Sequence, residues 1–142
     1  MAVAPLNKVR QVVEYALTEI PSEKILLGVP NYGYDWRLPF VAGQSVARSL
    51  SNAEAVSLAW EKKAAIDFDS VAASPNYRYY DRVNGRPSEH VVWFEDSRSA
   101  AATMDVVEEF NLRGFFTWNI MRFFPGLWLV ANSYFPLRRF YE

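Results

Sequence analysis

Residues 91–120 read VVWFEDSRSAAATMDVVEEFNLRGFFTWNI, and the reading of this stretch decides the fold. A short apolar run leads to Asp96 and Ser97, side chains that accept from the free amides of a first helical turn. Ala100, Met104, Val107 and Phe110 then recur at helical spacing and make one apolar stripe, which predicts a helix over residues 97–110. Asn111 and Gly114 break it with little steric cost. Residues 114–120 follow at once, apolar, aromatic and too short for a helix, so they are expected to form a buried strand. A helix that feeds a buried strand through a short loop is half of a β/α repeat, and its neighbouring strand is expected to be parallel.

The start of the chain repeats this order. Residues 6–20 predict a helix whose apolar face is Val9, Val12, Val13, Ala16, Leu17 and Ile20, ended by Pro21. After a polar turn, residues 25–29 (ILLGV) read as a strand covered on both faces. It runs into PNYGYDW, residues 30–36, where Pro30 and Gly33 predict a loop carrying Tyr32, Tyr34, Asp35 and Trp36 at the strand's end. Sites in parallel α/β folds are built at such ends, and the bland alternative is a hydrophobic loop that seals the fold.

Residues 38–90 differ in character and predict a small α+β insertion. Ser51 and Glu54 form a capping box that opens a helix to about residue 61. Residues 65–69, 77–81 and 90–94 alternate as strands do, with Asn84–Gly85 as a hairpin turn. Tyr77 and Tyr79 fall on one strand face, Arg78 and Tyr80 on the other. Residues 125–135 predict a last short helix, followed by a tail with Arg138 and Arg139.

Composition narrows the functions. Hydrophobic residues are 51% of the 142 and charged ones 22%, the balance of a folded chain. Net charge is −1 with Lys and Arg scattered, which argues against nucleic acid or an acidic membrane as main partner. There is no cysteine and one histidine, His90, so thiolate metal sites and the usual zinc sites are not expected, and no cofactor is called for. No apolar run approaches the roughly 20 residues of a membrane span, and no targeting signal is visible at Met1. Aromatic residues reach 16%, more than a core of this size needs, and such an excess serves sugar or base stacking.

PSEKILLGVPNYGYDW (residues 21–36) and the stretch 91–120 together resemble the last strands of glycoside hydrolase family 18, the chitinase-type (β/α)8 barrel. The likeness is to the branch of spore germination and cortex-lytic glucosaminidases, and it covers about residues 4–135. The first stretch resembles strand seven, the second the return from an α+β insertion, a helix and strand eight. The resemblance implies an α/β fold: the last two β/α units of a (β/α)8 barrel, in a single partial domain over residues 1–142 with the insertion at about 38–90. The family's DxxDxE run, which ends strand four, is absent, as is its Met-x-Tyr-Asp motif; Asp105–Glu109 lies inside a predicted helix and does not fit. A complete barrel needs about 250 residues, so a fragment of a longer protein is expected.

By resemblance, the parent hydrolyses polymers containing N-acetylglucosamine, peptidoglycan or chitin, with a glutamic acid as proton donor and the substrate's own acetamido group as nucleophile. That departs from the two-carboxylate scheme. The acid is expected upstream of this chain, so no catalytic residue is assigned within it. Trp118 matches the tryptophan that floors the sugar at the cleavage point, with ordinary core tryptophan as the bland alternative. Tyr32, Tyr34, Asp35 and Trp36 are candidate walls of sugar subsites, with a surface salt bridge as Asp35's alternative. Asp96 is read as a helix cap, Glu95 and Asp67 as solvated, and His90 as a strand-edge residue. Tyr77, Tyr79, Tyr80, Trp93 and Phe94 either wall a groove or form the insertion's core. The competing function is a non-catalytic carbohydrate-binding or structural module. Either way the expected partner is a glycan, and open strand edges predict self-association as a dimer. The cell envelope, the spore or the outside of the cell is the compartment implied for the parent.

Overall fold

A computed structural model of the chain describes residues 1–83 and 85–135. In chain order the elements are α1 (Leu6–Leu17), a 3-10 turn (Ser22–Lys24), β1 (Leu26–Pro30), β2 (Tyr32–Arg37), β3 (Arg48–Ser51), α2 (Asn52–Lys62), β4 (Asp67–Asp69), β5 (Ser74–Val83), β6 (Arg86–Trp93), α3 (Ser97–Glu109), β7 (Gly114–Trp118) and α4 (Pro125–Tyr134). The expected parallel partner exists: β1 pairs with β7, Leu26 opposite Gly114 and Pro30 opposite Trp118. The other five strands form an antiparallel sheet in the order β3-β2-β6-β5-β4.

Local chemistry explains the helices. Asp96 Oδ1 accepts from the amides of Arg98 at 2.8 Å and Ser99 at 3.1 Å, and Ser99 Oγ accepts from the Asp96 amide at 2.8 Å. Asp96 is thus a cap, and α3 stops where Asn111 takes φ +47° and Gly114 φ +148°. The Ser51–Glu54 capping box opens α2 as read. α1 ends at Leu17, three residues short of the expectation, because Thr18 Oγ1 turns back to the Tyr15 carbonyl at 2.7 Å. Its packed face is Leu6, Val9, Val13 and Leu17, whereas Val12 is 67% exposed.

Two corrections concern the strands. Residues 32–37 are strand rather than loop, since Tyr32, Tyr34 and Trp36 alternate with Gly33 and Asp35 at period two. Only Asn31 separates β1 from β2, so the antiparallel sheet begins almost where the parallel pair ends. Second, the run ILLGV is covered on one face alone. Leu27 and Val29 pack against α1 and α3, while Leu26 on the other face is 49% exposed, as is Phe116 beside it on β7. Continuous hydrophobicity signals two covered faces, and among the described residues no element covers this one. β3 was not foreseen, and β5 and β6 run longer than expected. In the Asn84–Gly85 turn and the 136–142 tail, Asn84 and the tail lie outside the described residues.

Register sorts the antiparallel sheet into two faces. Leu50, Tyr77, Tyr79, Val92 and Phe94 meet Ala55 and Ala59 of α2 in a closed core, which settles Tyr77, Tyr79 and Phe94 as core residues. Gly33 belongs to this face, and a Cβ there would lie 2.5 Å from the Trp93 carbonyl oxygen, so only glycine lets β2 come this close. Tyr32, Tyr34 and Trp36 take the opposite face, with Tyr34 paired to Trp93; Tyr80, 70% exposed, shares it.

Where β6 hands over to α3, Glu95 is buried, 7% exposed, which corrects its reading as solvated. The chain turns inward one residue before the Asp96 cap, and the Glu95 amide donates to Asn52 Oδ1 at 3.0 Å. Glu95 Oε1, Asn52 Nδ2 and Ser74 Oγ make no hydrogen bond among the described residues. Desolvation pushes the carboxyl up to about 8, against a smaller opposing pull from the nearby Ser99 hydroxyl and with a further push from the Asp96 charge. The protonated form is therefore favoured by folding. Its contribution is complete below the unfolded value near 4.5 and is lost as pH rises through about 8. We expect the thermal midpoint to fall between pH 5 and 8, and Glu95→Gln to flatten that fall, at most about 1.4 kcal/mol per pH unit. The two proteins should match near pH 4.5, with the variant ahead at pH 8. Parallel melting curves across this range would contradict the buried, neutral carboxyl.

Candidate functional site

The site grows from the ends of β1 and β7. Pro30 has no N–H, so the ladder continues through Asn31, whose amide donates to the Trp118 carbonyl at 3.3 Å. The Asn31 side chain, 4% exposed, then ties down the segment after β7. Its Nδ2 donates to the Asn119 carbonyl at 2.8 Å and to the Arg122 carbonyl, and its Oδ1 accepts from the Asn119 amide at 2.9 Å. Arg122 is thereby aimed back at the antiparallel sheet. Its Nη1 donates to Ser49 Oγ at 2.8 Å and to the Leu50 carbonyl at 3.0 Å, and its guanidinium lies 5.5 Å from the centre of the Tyr32 ring.

These residues enclose an open cleft of about 190 Å3, lined by Tyr32, Tyr34, Ser49, Trp118, Asn119 and Arg122. Trp118 is 64% exposed and also borders a second groove with Gly28, Pro30 and Phe116. From Tyr32 an aromatic file runs outward along β2. Ring centres lie 5.5 Å apart for Tyr32–Tyr34, 5.8 Å for Tyr34–Trp36 and 5.4 Å for Trp36–Phe40, each edge to face. Trp36 is steadied by its Nε1–H donating to the Met1 carbonyl at 3.1 Å. Burial, then the neighbouring Tyr34 hydroxyl, raises the Tyr32 phenol above its ordinary value, so it stays a neutral donor and acceptor.

The structure thus brings Trp118, Tyr32, Tyr34 and Trp36 together, and it separates Asp35 from them. Asp35 projects to the α2 side of the sheet, 5% exposed, where Oδ2 accepts from the Tyr79 hydroxyl at 2.7 Å and Oδ1 lies 2.9 Å from His90 Nδ1. Neither a subsite wall nor a surface salt bridge describes it; alternation along β2 puts it on the face opposite its aromatic neighbours. His90 is no strand-edge residue either, since β6 is flanked by β2 and β5 and the ring stacks on Tyr79 at 4.7 Å. Burial and then the Asp35 hydrogen bond push the Tyr79 phenol far up.

Chemically, the cleft offers flat aromatic faces, neutral hydrogen-bonding groups and one cation. Among the described residues none that lines it is a carboxylate, so these side chains can grip and orient but include no proton donor of the strength glycoside cleavage requires. No group of three metal-ligating side chains occurs among the described residues. Sequence reasoning missed Asn31 and Arg122. Asn31 sits inside the PNYGYDW run that had been singled out, but Arg122 has no local signal, because its partners Ser49 and Leu50 lie more than 70 positions away.

The family model described as Glycosyl hydrolases family 18 matches residues 2–122. The chain is 45% identical over 134 residues to the cortical fragment-lytic enzyme of Bacillus subtilis, an alignment covering 94% of this chain and 30% of that protein. The solved spore cortex-lytic enzyme SleL of Bacillus megaterium superposes with a TM-score of 0.86 at 44% identity, over 95% of this chain and 31% of that one. A chitinase from Chromobacterium violaceum gives 0.82 at 25% identity, over 97% and 41%. The chain therefore spans about 30% of the length of the curated relative it matches. With most of its residues matched by one family model and an α/β fold shared with these enzymes, this chain belongs to glycoside hydrolase family 18.

Proposed function

We propose that this chain is the glycan-gripping C-terminal section of a glycoside hydrolase that acts on N-acetylglucosamine-containing polymers, peptidoglycan or chitin. In this reading β1 and β7 are the last two strands of a (β/α)8 barrel, residues 1–142 are one partial domain, and the antiparallel sheet is inserted between those strands. The observation that carries it is Trp118, a large indole 64% exposed at the C-terminal end of β7 beside Tyr32 and Arg122. Sites of such barrels lie at that end of the strands. An indole face suits the apolar C–H face of a pyranose, and Tyr34 and Trp36 extend the surface for further sugars. The parent would act in the cell envelope, the spore or outside the cell, in keeping with relatives named as cortex-lytic enzymes.

The substrate-assisted retaining mechanism of the family needs an acid to protonate the leaving oxygen. No DxxDxE run occurs in the 142 residues and, among the described residues, no carboxylate lines the cleft. That favours a second reading for this chain taken by itself, a non-catalytic carbohydrate-binding module.

Two outcomes are expected. The purified chain should bind chitotetraose but release no reducing ends from it, and Trp118→Ala should weaken binding about tenfold, the equivalent of about 1.4 kcal/mol of lost stacking. Turnover that survives purification controls, or unchanged affinity in the variant, would overturn the respective half of this reading. The second outcome concerns association. Leu26 and Phe116 are each 49% exposed beside Trp118, and β1 and β7 each keep one unpaired edge among the described residues. Sedimentation equilibrium at micromolar concentration should find a dimer in which sheet or apolar face is shared. A monomer of 16.3 kDa with a cooperative melt would show that the uncovered face is tolerated.

A further inference from the structure

Among the described residues Arg122 is the only charged side chain lining the Trp118 cleft, and it forms no ion pair with a carboxylate there. It is nonetheless held in place. Nη1 is committed to Ser49 Oγ and the Leu50 carbonyl, the guanidinium carbon lies 5.5 Å from the centre of the Tyr32 ring, and the Arg122 backbone carbonyl is fixed by Asn31. Nη2 and Nε have no protein acceptor among the described residues. A guanidinium is weakly hydrated and planar, and its remaining edge presents a fork of donors that matches a carboxylate. A neutral chitin chain offers only hydroxyls and acetamides to such a group. A bacterial wall glycan built on N-acetylglucosamine carries acid as well, on the lactyl ether of its muramic acid sugars or on the peptides attached there.

We propose that Arg122 recognises a carboxylate carried by the bound glycan, making this cleft selective for acidic wall glycan over neutral chitin. The proposal rests on the reading of the cleft as a glycan site. It assigns specificity to Arg122 and leaves the gripping of the sugar face to Trp118.

The test is calorimetric titration of the full chain at low salt with four tetrasaccharides. They are chitotetraose, a peptide-free alternating N-acetylglucosamine and N-acetylmuramic acid chain, its lactyl methyl ester, and its peptide-bearing form. The free acid should bind about tenfold tighter than chitotetraose, and the advantage should shrink with added salt. Esterification should abolish it on the unaltered protein, which needs no variant to fold. Arg122→Met should lose the preference, binding the free acid, its ester and chitotetraose alike. If the peptide-bearing chain keeps the advantage, a stem carboxylate is read; if it loses it, the lactyl group is. Equal affinity for the acid, its ester and chitotetraose would overturn the selectivity and leave the glycan site standing. So would an Arg122→Met protein that melts normally but loses all ligands equally, since Arg122 would then only strap the cleft together. Failure of every glycan to bind would remove the glycan site and this inference with it.

Discussion

Five residue pairs, Leu26–Pro30 against Gly114–Trp118 in parallel, fix the position of everything that matters in this chain. Parallel strands cannot be joined by a tight turn, so the intervening residues must leave the sheet and return. They leave as β2, return along β6, and re-enter through α3. Because Pro30 is opposite Trp118, the first residues of the excursion, Asn31 and Tyr32, lie beside the last of β7. A one-residue slip would exchange Phe116 and Trp118 with Phe115 and Thr117 and turn both rings into the helices. The helix-side packing of Phe115, Leu27 and Val29 against α1, α3 and α4 opposes that slip, since these side chains fill the one face of the pair that is covered among the described residues.

Asn31 converts this register into a site. A buried amide that satisfies both its donor and its acceptor across two strand ends is worth more than its exposed equivalent, because leaving it unpaired carries the full desolvation cost. It holds the segment that carries Arg122, which reaches across to β3 and joins the parallel pair to the antiparallel sheet. On the far face of that sheet Asp35, Tyr79 and His90 tie three adjacent strands together by hydrogen bonds. With Asp35 held there, period-two alternation leaves Tyr34 and Trp36 no place but the open side. The buried polar trio and the aromatic file are thus two consequences of one strand.

What was legible in the sequence was periodic or local. The cap at Asp96, the capping box at Ser51, the α3 stripe and the parallel partner of β7 each follow from residues a few positions apart, and each is found in the fold. The aromatic members of the site were legible for the same reason, clustered in PNYGYDW and at the end of FFTW. What failed was long-range. The punctuation of Pro30 and Gly33 suggested a loop, yet Pro30 ends one strand and Gly33 is required where β2 crowds Trp93 and Phe94. Asp35 was misplaced with the loop: once residues 32–37 are a strand, its facing is opposite to that of Tyr34. Glu95 reads as one more charged residue until the three elements around it are assembled. Arg122 stands alone in a segment without pattern, and only the return of the chain past β3 gives it partners.

The central claim is that Trp118, with Tyr32 and Arg122 around it, forms a glycan surface at the meeting point of the two sheets. The five indole N–H groups of the chain are five separate reporters. In a titration of the isotope-labelled chain with chitotetraose, followed by proton–nitrogen correlation spectra, the Trp118 indole should move first and furthest. The Trp60 indole, 88% exposed on α2, should stay in place. A saturable shift at Trp60 with Trp118 unmoved would put the glycan on the wrong part of the molecule and contradict the account.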